Sequence, residues 1–332
     1  MNEKFKATLK SSETEDWLDL HVIRPFCYYC ALAFNRFDIH PNTVTLWSMI
    51  VGAASAFFFA FGSWYYSKLE CGSIWPGLMM NIIAIALLMI ADILDCTDGQ
   101  LARLSGKKSR LGRILDGVAG FAWFIPIYHV LVYRFYMHHD IEFGWLGIEN
   151  TQENTLIATA IVYALGLISG IVGLAGQQRL ADYYIQVHLF FLKGEKGSEL
   201  DNSAWQQEIY DKMTADVPWY ERMFQRSYIN YTKKQEKVTP QFQRLMARLR
   251  EKFGSTDNMP DEVRQEFRAN SLPLMFWNGL LTFNFRSFWL FLFCLLDIPA
   301  CNFLFEIIAM GLLAYYVNHR HEAFCRRMAQ KL

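Results

Sequence analysis

Residues 95–116 hold a set of side chains suited to binding a cation. Asp95 and Asp98 are followed by Gly99, Ala102 and Arg103, and then, after eight intervening residues, by Gly112 and Asp116. A hard divalent cation takes oxygen ligands, and magnesium takes a few carboxylates together with the phosphates of its substrate. Asp95 and Asp98 are three residues apart, so a helix sets them on neighbouring parts of one face. Glycine at 99 lets a ligand approach the backbone closely. Residue types and spacing together point to metal-assisted chemistry on a phosphate.

Two long apolar stretches flank this cluster and must position it. Hydrophobic residues make up 53% of the 332-residue chain and charged residues 19%, the balance of a membrane protein with sizeable polar segments. A transmembrane helix needs about 20 predominantly apolar residues. Six spans are read, at about 43–61, 76–94, 114–136, 156–174, 274–296 and 303–317. The second and third carry carboxylates only at the ends nearest each other, Asp92 and Asp116, which sets the cluster near one membrane face. The expected fold is all-α and integral to the membrane: six transmembrane helices, an amphipathic N-terminal juxtamembrane helix and a helical cytoplasmic insert. The divisions are 1–42 for the N-terminus and juxtamembrane helix, 43–175 for the first four spans, 176–272 for the insert, and 273–332 for the last two spans and tail.

Positive charge orients this arrangement, because Lys and Arg concentrate in cytoplasmic segments. Of the 32 Lys and Arg, only Lys68 falls in a loop on the other side, while Arg134 and Arg286 fall inside spans. Both termini and the 95–116 cluster are therefore expected on the cytoplasmic side. Formal net charge is zero, so composition gives no nucleic-acid footprint. Cys27 and Cys30 form a lone C-x-x-C without a βαβ context, and the thiols are expected to be reduced.

The spacing resembles the signature of the CDP-alcohol phosphotransferase family, Asp-x2-Asp-Gly-x2-Ala-Arg-x8-Gly-x3-Asp-x3-Asp. Asp95, Asp98, Gly99, Ala102, Arg103, Gly112 and Asp116 fill every fixed position but the last, where this chain has Gly120. Upstream, Arg24-Pro25 and the Pro41-Asn42-Thr43-Val44-Thr45 entry to the first span are similar to the family's juxtamembrane helix and Pro-Asn-x-x-Thr motif. The resemblance implies Asp95, Asp98 and Asp116 as metal ligands, and Asn42, Thr45, Gly99, Ala102, Arg103 and Gly112 around the CDP moiety. In a plain structural reading Asn42 or Thr43 caps the helix that follows. The cofactor implied is Mg²⁺ or Mn²⁺, with two ions about 3.5–4 Å apart stabilising the attacking and leaving oxygens. Lys107, Lys108 and Arg110 would add a basic rim.

Gly120 alters the chemistry, since the resemblance makes the missing aspartate a metal ligand and the general base. No Asp or Glu occurs between Asp116 and Asp140. His129 lies roughly 20 Å along a helix from Asp116 at 1.5 Å per residue and off its face, so it reads as a packed polar residue. Asp92, one turn before Asp95, is the candidate substitute. Otherwise metal coordination lowers the acceptor's pKa, the acceptor is already ionised, or turnover is impaired. Arg286, inside a span, must find an acid, snorkel, or bind a lipid phosphate.

The function that follows from the resemblance is transfer of a phosphoalcohol, most commonly phosphatidyl, from a CDP-linked donor to a hydroxyl acceptor with release of CMP. Transfer from a CDP-amino alcohol to a lipid acceptor is the alternative arrangement, and a member without turnover that binds nucleotide or lipid is the alternative class. Expected partners are the CDP-diacylglycerol or CDP-amino alcohol donor, the alcohol acceptor, the bilayer and a second copy of the chain, with no nucleic acid. The 176–272 insert has nearly balanced charge and short amphipathic helices, with Phe242, Leu245, Leu249 and Phe253 at helical spacing.

Overall fold

The computed structural model describes every residue except 1–4, 6–10, 12, 16, 108, 215 and 255–257, and only the backbone of 110, 111, 113, 114 and 196. The described residues form helices and turns. After a π-helical turn at Asp19–Ile23 come α1 (Arg24–Arg36), α2 (Pro41–Ala60), α3 (Trp64–Cys71), α4 (Trp75–Ser105), α5 (Arg110–Met137), α6 (Asp140–Leu146) and α7 (Gln152–Ile168). A π-helical stretch, Ser169–Gln177, leads into α8 (Gln178–Lys193). Then follow α9 (Ser203–Asp211), α10 (Trp219–Val238), α11 (Pro240–Phe253), α12 (Asp261–Gly279), α13 (Phe283–Leu295) and α14 (Ala300–Lys331). The chain divides into two compact units, 1–175 with 283–309 and 176–282 with 310–332.

Local chemistry sets the ends of the helices that matter most. Pro41 occupies the first turn of α2, where its missing N–H costs nothing. The cap expected from Asn42 or Thr43 is supplied instead by His40, whose Nδ1 accepts from the Asn42 N–H at 3.2 Å. The Asn42 side chain is thereby left for other work. Gly106 stops α4 in the left-handed region at φ 70°, which favours glycine. Ser109 then caps α5, its hydroxyl accepting from the Gly112 N–H at 2.9 Å.

Among the described residues, five helical stretches are long and apolar enough to cross a membrane: Pro41–Ala60, Trp75–Ser105, Leu115–Met137, Gln152–Lys193 and Ala300–Lys331. The sixth expected span, 274–296, is not one helix. α12 ends at Gly279, a turn follows in which the Thr282 hydroxyl donates to the Gly279 carbonyl at 2.6 Å, and α13 begins at Phe283. At 1.5 Å per residue the 13 residues of α13 rise roughly 20 Å, short of a hydrocarbon core of about 30 Å. Hydropathy runs straight through this turn, so it could not reveal the break.

In the first unit, α2, α4 and α5 pack closely. A methyl on Gly52 would fall 2.1 Å from the Trp123 ring, so glycine is what lets α2 approach α5 there. Phe59, Leu88, Phe124, Ile127, Leu131 and Phe303 fill the core. Ile50, Phe57, Ile125 and Ile161 point outward and stay exposed, the surface expected of helices that face lipid. All seven cysteines are free thiols.

Two buried ion pairs also lie in this unit. Arg286 finds the acid that its sequence position required: Nη1 lies 2.9 Å from Glu306, which also accepts from the Tyr128 hydroxyl at 2.5 Å and from Ser169. Arg134 donates to Asp297 at 2.5 Å, to Asn81 at 2.8 Å and to the carbonyls of Gly62 and Cys294. Asp297 in turn accepts from the Ser63 hydroxyl and the Tyr65 N–H.

In the second unit the apolar face expected of α11 is buried at Phe242, Leu245 and Leu249. Phe242, Phe267, Phe324 and Tyr184 surround His321, and the Glu322 carboxylate accepts from the Gln241 and Phe242 N–H groups at the start of α11.

Candidate functional site

The 95–116 carboxylates sit where three helix ends meet. The chain leaves α4 at Ser105 and re-enters helix at Arg110, and the first turns of α2 and α5 come against the last turns of α4. Helix N-termini carry unpaired N–H groups and partial positive charge, so two of them beside a carboxylate cluster favour anions such as phosphate.

Asp98 is buried and accepts a hydrogen bond from the Thr45 hydroxyl across the α2–α4 contact. Thr45 was expected by resemblance at the nucleotide, and here it holds a carboxylate. Asp95 interacts electrostatically with Asp98, Asp92 and Asp116, so the carboxylates are close enough to repel one another. Oδ1 of Asp95 is buried with no hydrogen-bond partner among the described residues. A buried, unpaired carboxylate oxygen costs free energy in isolation, and a cation would remove that cost. Three carboxylates and an orphaned oxygen, with Arg24 nearby, form a donor set that fits divalent metal. Asp116 is exposed on α5 and interacts with Asp95, Asp98 and Arg103.

The remaining expected residues line the same junction. A methyl on Gly99 would lie 3.4 Å from Nη2 of Arg103, so the guanidinium folds back over this glycine toward Asp98 and Asp116. A methyl on Gly112 would lie 2.7 Å from Oδ1 of Asn42, and the Ser109 hydroxyl donates to that same oxygen at 3.2 Å. Gly112 thus makes room for Asn42, joining the starts of α2 and α5. Ala102 stands one turn after Asp98 on α4. Gly120 stands one turn after Asp116 on α5. Lys107 pairs with Asp38 at 2.5 Å, while Lys108 and the Arg110 side chain lie outside the described residues.

Asp92 lies one turn deeper on α4 than Asp95, and its electrostatic neighbours are Asp19, Arg24 and Asp95. His129 is exposed and bonded to the Ile125 carbonyl at 2.7 Å, away from the carboxylates. Arg24 is a member of this neighbourhood that spacing alone did not identify. It pairs with Glu15 at 2.8 Å, its backbone carbonyl accepts from Gln100 at 3.2 Å, and its guanidinium reaches Asp19, Asp92, Asp95 and Cys96 electrostatically. Burial weakens its hold on the proton, but Cys96, Glu15 and Asp19 prevail and raise its pKa. Arg24 thus stays a cation. The only signal in the sequence is that Arg24-Pro25 opens α1.

Residues 38–174, which contain every expected site residue, match the model of the CDP-alcohol phosphatidyltransferase family, so this segment of the chain is similar to that family. The family transfers phosphate-containing groups in phospholipid synthesis, using CDP-alcohol donors, alcohol acceptors and divalent metal ions in membranes. No curated protein and no solved structure matches the chain significantly.

Proposed function

We propose that this protein transfers a phosphatidyl group from CDP-diacylglycerol to a small polar alcohol at the cytoplasmic membrane face, releasing CMP. One observation carries the reading: Asp95, Asp98 and Asp116 gather at the junction of α2, α4 and α5 with a buried Asp95 oxygen left unpaired. These carboxylates would hold two ions, Mg²⁺ or Mn²⁺, which when bound neutralise the donor diphosphate and the charge developing on CMP.

The protein's own groups do the rest. Thr45 orients Asp98 through its hydroxyl. Arg103, folded over Gly99, offers charge-assisted hydrogen bonds to a phosphate oxygen. Asn42 and Gly112 form the wall against which the cytidine rests, with Ala102 keeping the α4 face thin. Asp92 receives the proton of the acceptor hydroxyl in place of the aspartate that Gly120 replaces. The cytoplasmic placement rests on the bias of Lys and Arg toward the segments that hold both termini and the 176–272 insert.

CMP release by the purified protein, measured against CDP-diacylglycerol and CDP-amino alcohols with a panel of alcohols, tests the reading. Turnover that needs Mg²⁺ or Mn²⁺, stops with chelator and disappears in Asp98→Asn is expected. Full-rate CMP release from Asp98→Asn would overturn it. Gly120 also favours a second reading, in which the protein binds CDP-alcohol without turning it over. Binding without turnover in the wild type, with turnover gained only in Gly120→Asp, would establish that reading instead.

A further inference from the structure

The second unit holds a cleft of about 250 Å³ between α12 and the C-terminal part of α14. Its two walls differ in kind. α12 contributes the apolar Ala269, Pro273 and Leu274 with Asn270, while α14 contributes Ala323 and Phe324 and all of the basic side chains, His319, Arg320 and Arg327. Arg320 and Arg327 are exposed, and neither has an ion-pair or hydrogen-bond partner among the described residues. Helical spacing explains the wall: 320 and 327 are seven apart, so both arginines project on one side of α14. Elsewhere in this unit a basic side chain on α14, Lys331, does find an acid, Glu266.

An aromatic belt borders the cleft on one side. Phe276 and Trp277 on α12 and Tyr315 and Tyr316 on α14 lie within about one turn of its lining residues and are all exposed. Trp277 meets Tyr316 edge to face at 5.9 Å, and Tyr315 stacks on His319 at 5.9 Å. Exposed tyrosine and tryptophan mark the level of lipid headgroups, where an amphipathic ring is at home. α14 has 32 residues against the roughly 20 that span a hydrocarbon core, and the apolar run read from its sequence ends at Val317. His319 and Arg320 therefore follow directly after the span, where basic side chains attract anionic headgroups.

We propose that this cleft binds the phosphate of an anionic lipid headgroup, with Arg320 and Arg327 on the phosphate and the glycerol backbone against Pro273 and Leu274. The site is separate from the carboxylate cluster and shares no residue with it. A soluble phosphate offers the same charge but gains nothing from the apolar α12 wall or the aromatic belt.

The test uses the full chain, reconstituted in phosphatidylcholine nanodiscs that contain a minor fraction of phosphatidylglycerol. Lipid retained by the protein through a detergent wash is then quantified. Wild type should retain phosphatidylglycerol over phosphatidylcholine. Arg320→Gln/Arg327→Gln should lower that retention roughly tenfold or more. Ala323→Trp, which fills the cleft without removing charge, should lower it too. Arg326→Gln, a neighbouring exposed arginine outside the lining, should retain lipid as wild type does. Equal loss in Arg326→Gln, or no loss in the double variant and Ala323→Trp, would overturn the proposal. Displacement of phosphatidylglycerol by excess inorganic phosphate would also overturn it, making free phosphate the ligand. If Arg320→Gln/Arg327→Gln fails to fold, Ala323→Trp against Arg326→Gln decides the matter. CMP release is recorded alongside, and its presence or absence has no bearing on lipid retention in this cleft.

Discussion

Two polar clusters in the first unit have been built on opposite terms. Around Arg134 the charge is answered: Asp297, Asn81 and three carbonyls take its protons, Nε alone of its nitrogens has no partner among the described residues, and Ser63 and Tyr65 complete Asp297. Around Asp95 the carboxylates crowd one another, Arg24 and Arg103 offset them only in part, and one Asp95 oxygen has no hydrogen-bond partner among the described residues. A buried network in which every member is satisfied stabilises and fixes a fold, whereas a half-satisfied one is costly. The first cluster ties the ends of α2, α4, α5 and α13 together. The second forgoes such stability, and the cost is what a bound cation and substrate phosphate would relieve.

The largest expected effect comes from removing a carboxylate at the unsatisfied cluster. Asp98→Asn should abolish CMP release yet leave thermal stability unchanged or raised, because it removes a repelling charge while an amide oxygen can still accept from Thr45. A large drop in melting temperature would mean that Asp98 is structural. Asp92→Asn comes next, with kcat down by about 10²–10⁴, the usual contribution of a positioned general base. Full activity would remove Asp92 from the reaction.

The satisfied cluster should behave in the reverse way. Arg134→Met leaves Asp297 buried without its partner, which costs about 3–5 kcal/mol in comparable pairs. Denaturation in detergent should show that loss, with specific activity per folded molecule preserved. Unchanged stability together with lost turnover would erase the contrast.

A smaller effect lies beside that cluster. Glu142, on α6, is buried, and burial pushes its pKa up from 4.5 to about 7, with Asp297 adding to the shift and Arg134 opposing it. The folded protein therefore holds this proton more tightly than the unfolded chain. Its contribution to stability is complete below about pH 4.5, is lost as the pH rises to about 7, and stays constant above. Melting temperature against pH should fall across that window in wild type and lose this component in Glu142→Gln. The smallest effect is expected from Gly112→Ala, whose new methyl pushes on Asn42 at 2.7 Å. A severalfold rise in KM for the CDP donor with kcat nearly kept would place Asn42 at the nucleotide.

How much of this was legible in the chain varies from residue to residue. The spacing of Asp95, Asp98, Gly99, Arg103, Gly112 and Asp116 can be read because four of the five intervals stay within about one helical turn, and a helix converts spacing directly into a shared face. The apolar runs announced the spans for the same local reason. The charge of Arg286 announced that a partner was needed, but Glu306 lies on another helix, and no local rule selects it. Arg134 and Asp297 are 163 residues apart, and Asp297 sits in a turn whose left-handed backbone is set by its surroundings.

By itself, then, the sequence determined an all-helical chain with membrane-spanning stretches and a carboxylate cluster between two of them, because helical periodicity, hydropathy and residue type are local properties. Only the tertiary structure decided that His40 caps α2 and leaves Asn42 to face Gly112, that Thr45 holds Asp98, that the stretch 274–296 breaks at Gly279, and that Arg24 joins the carboxylates. Each of these depends on which helix ends meet, and that is set by close packing such as the passage of Gly52 against Trp123.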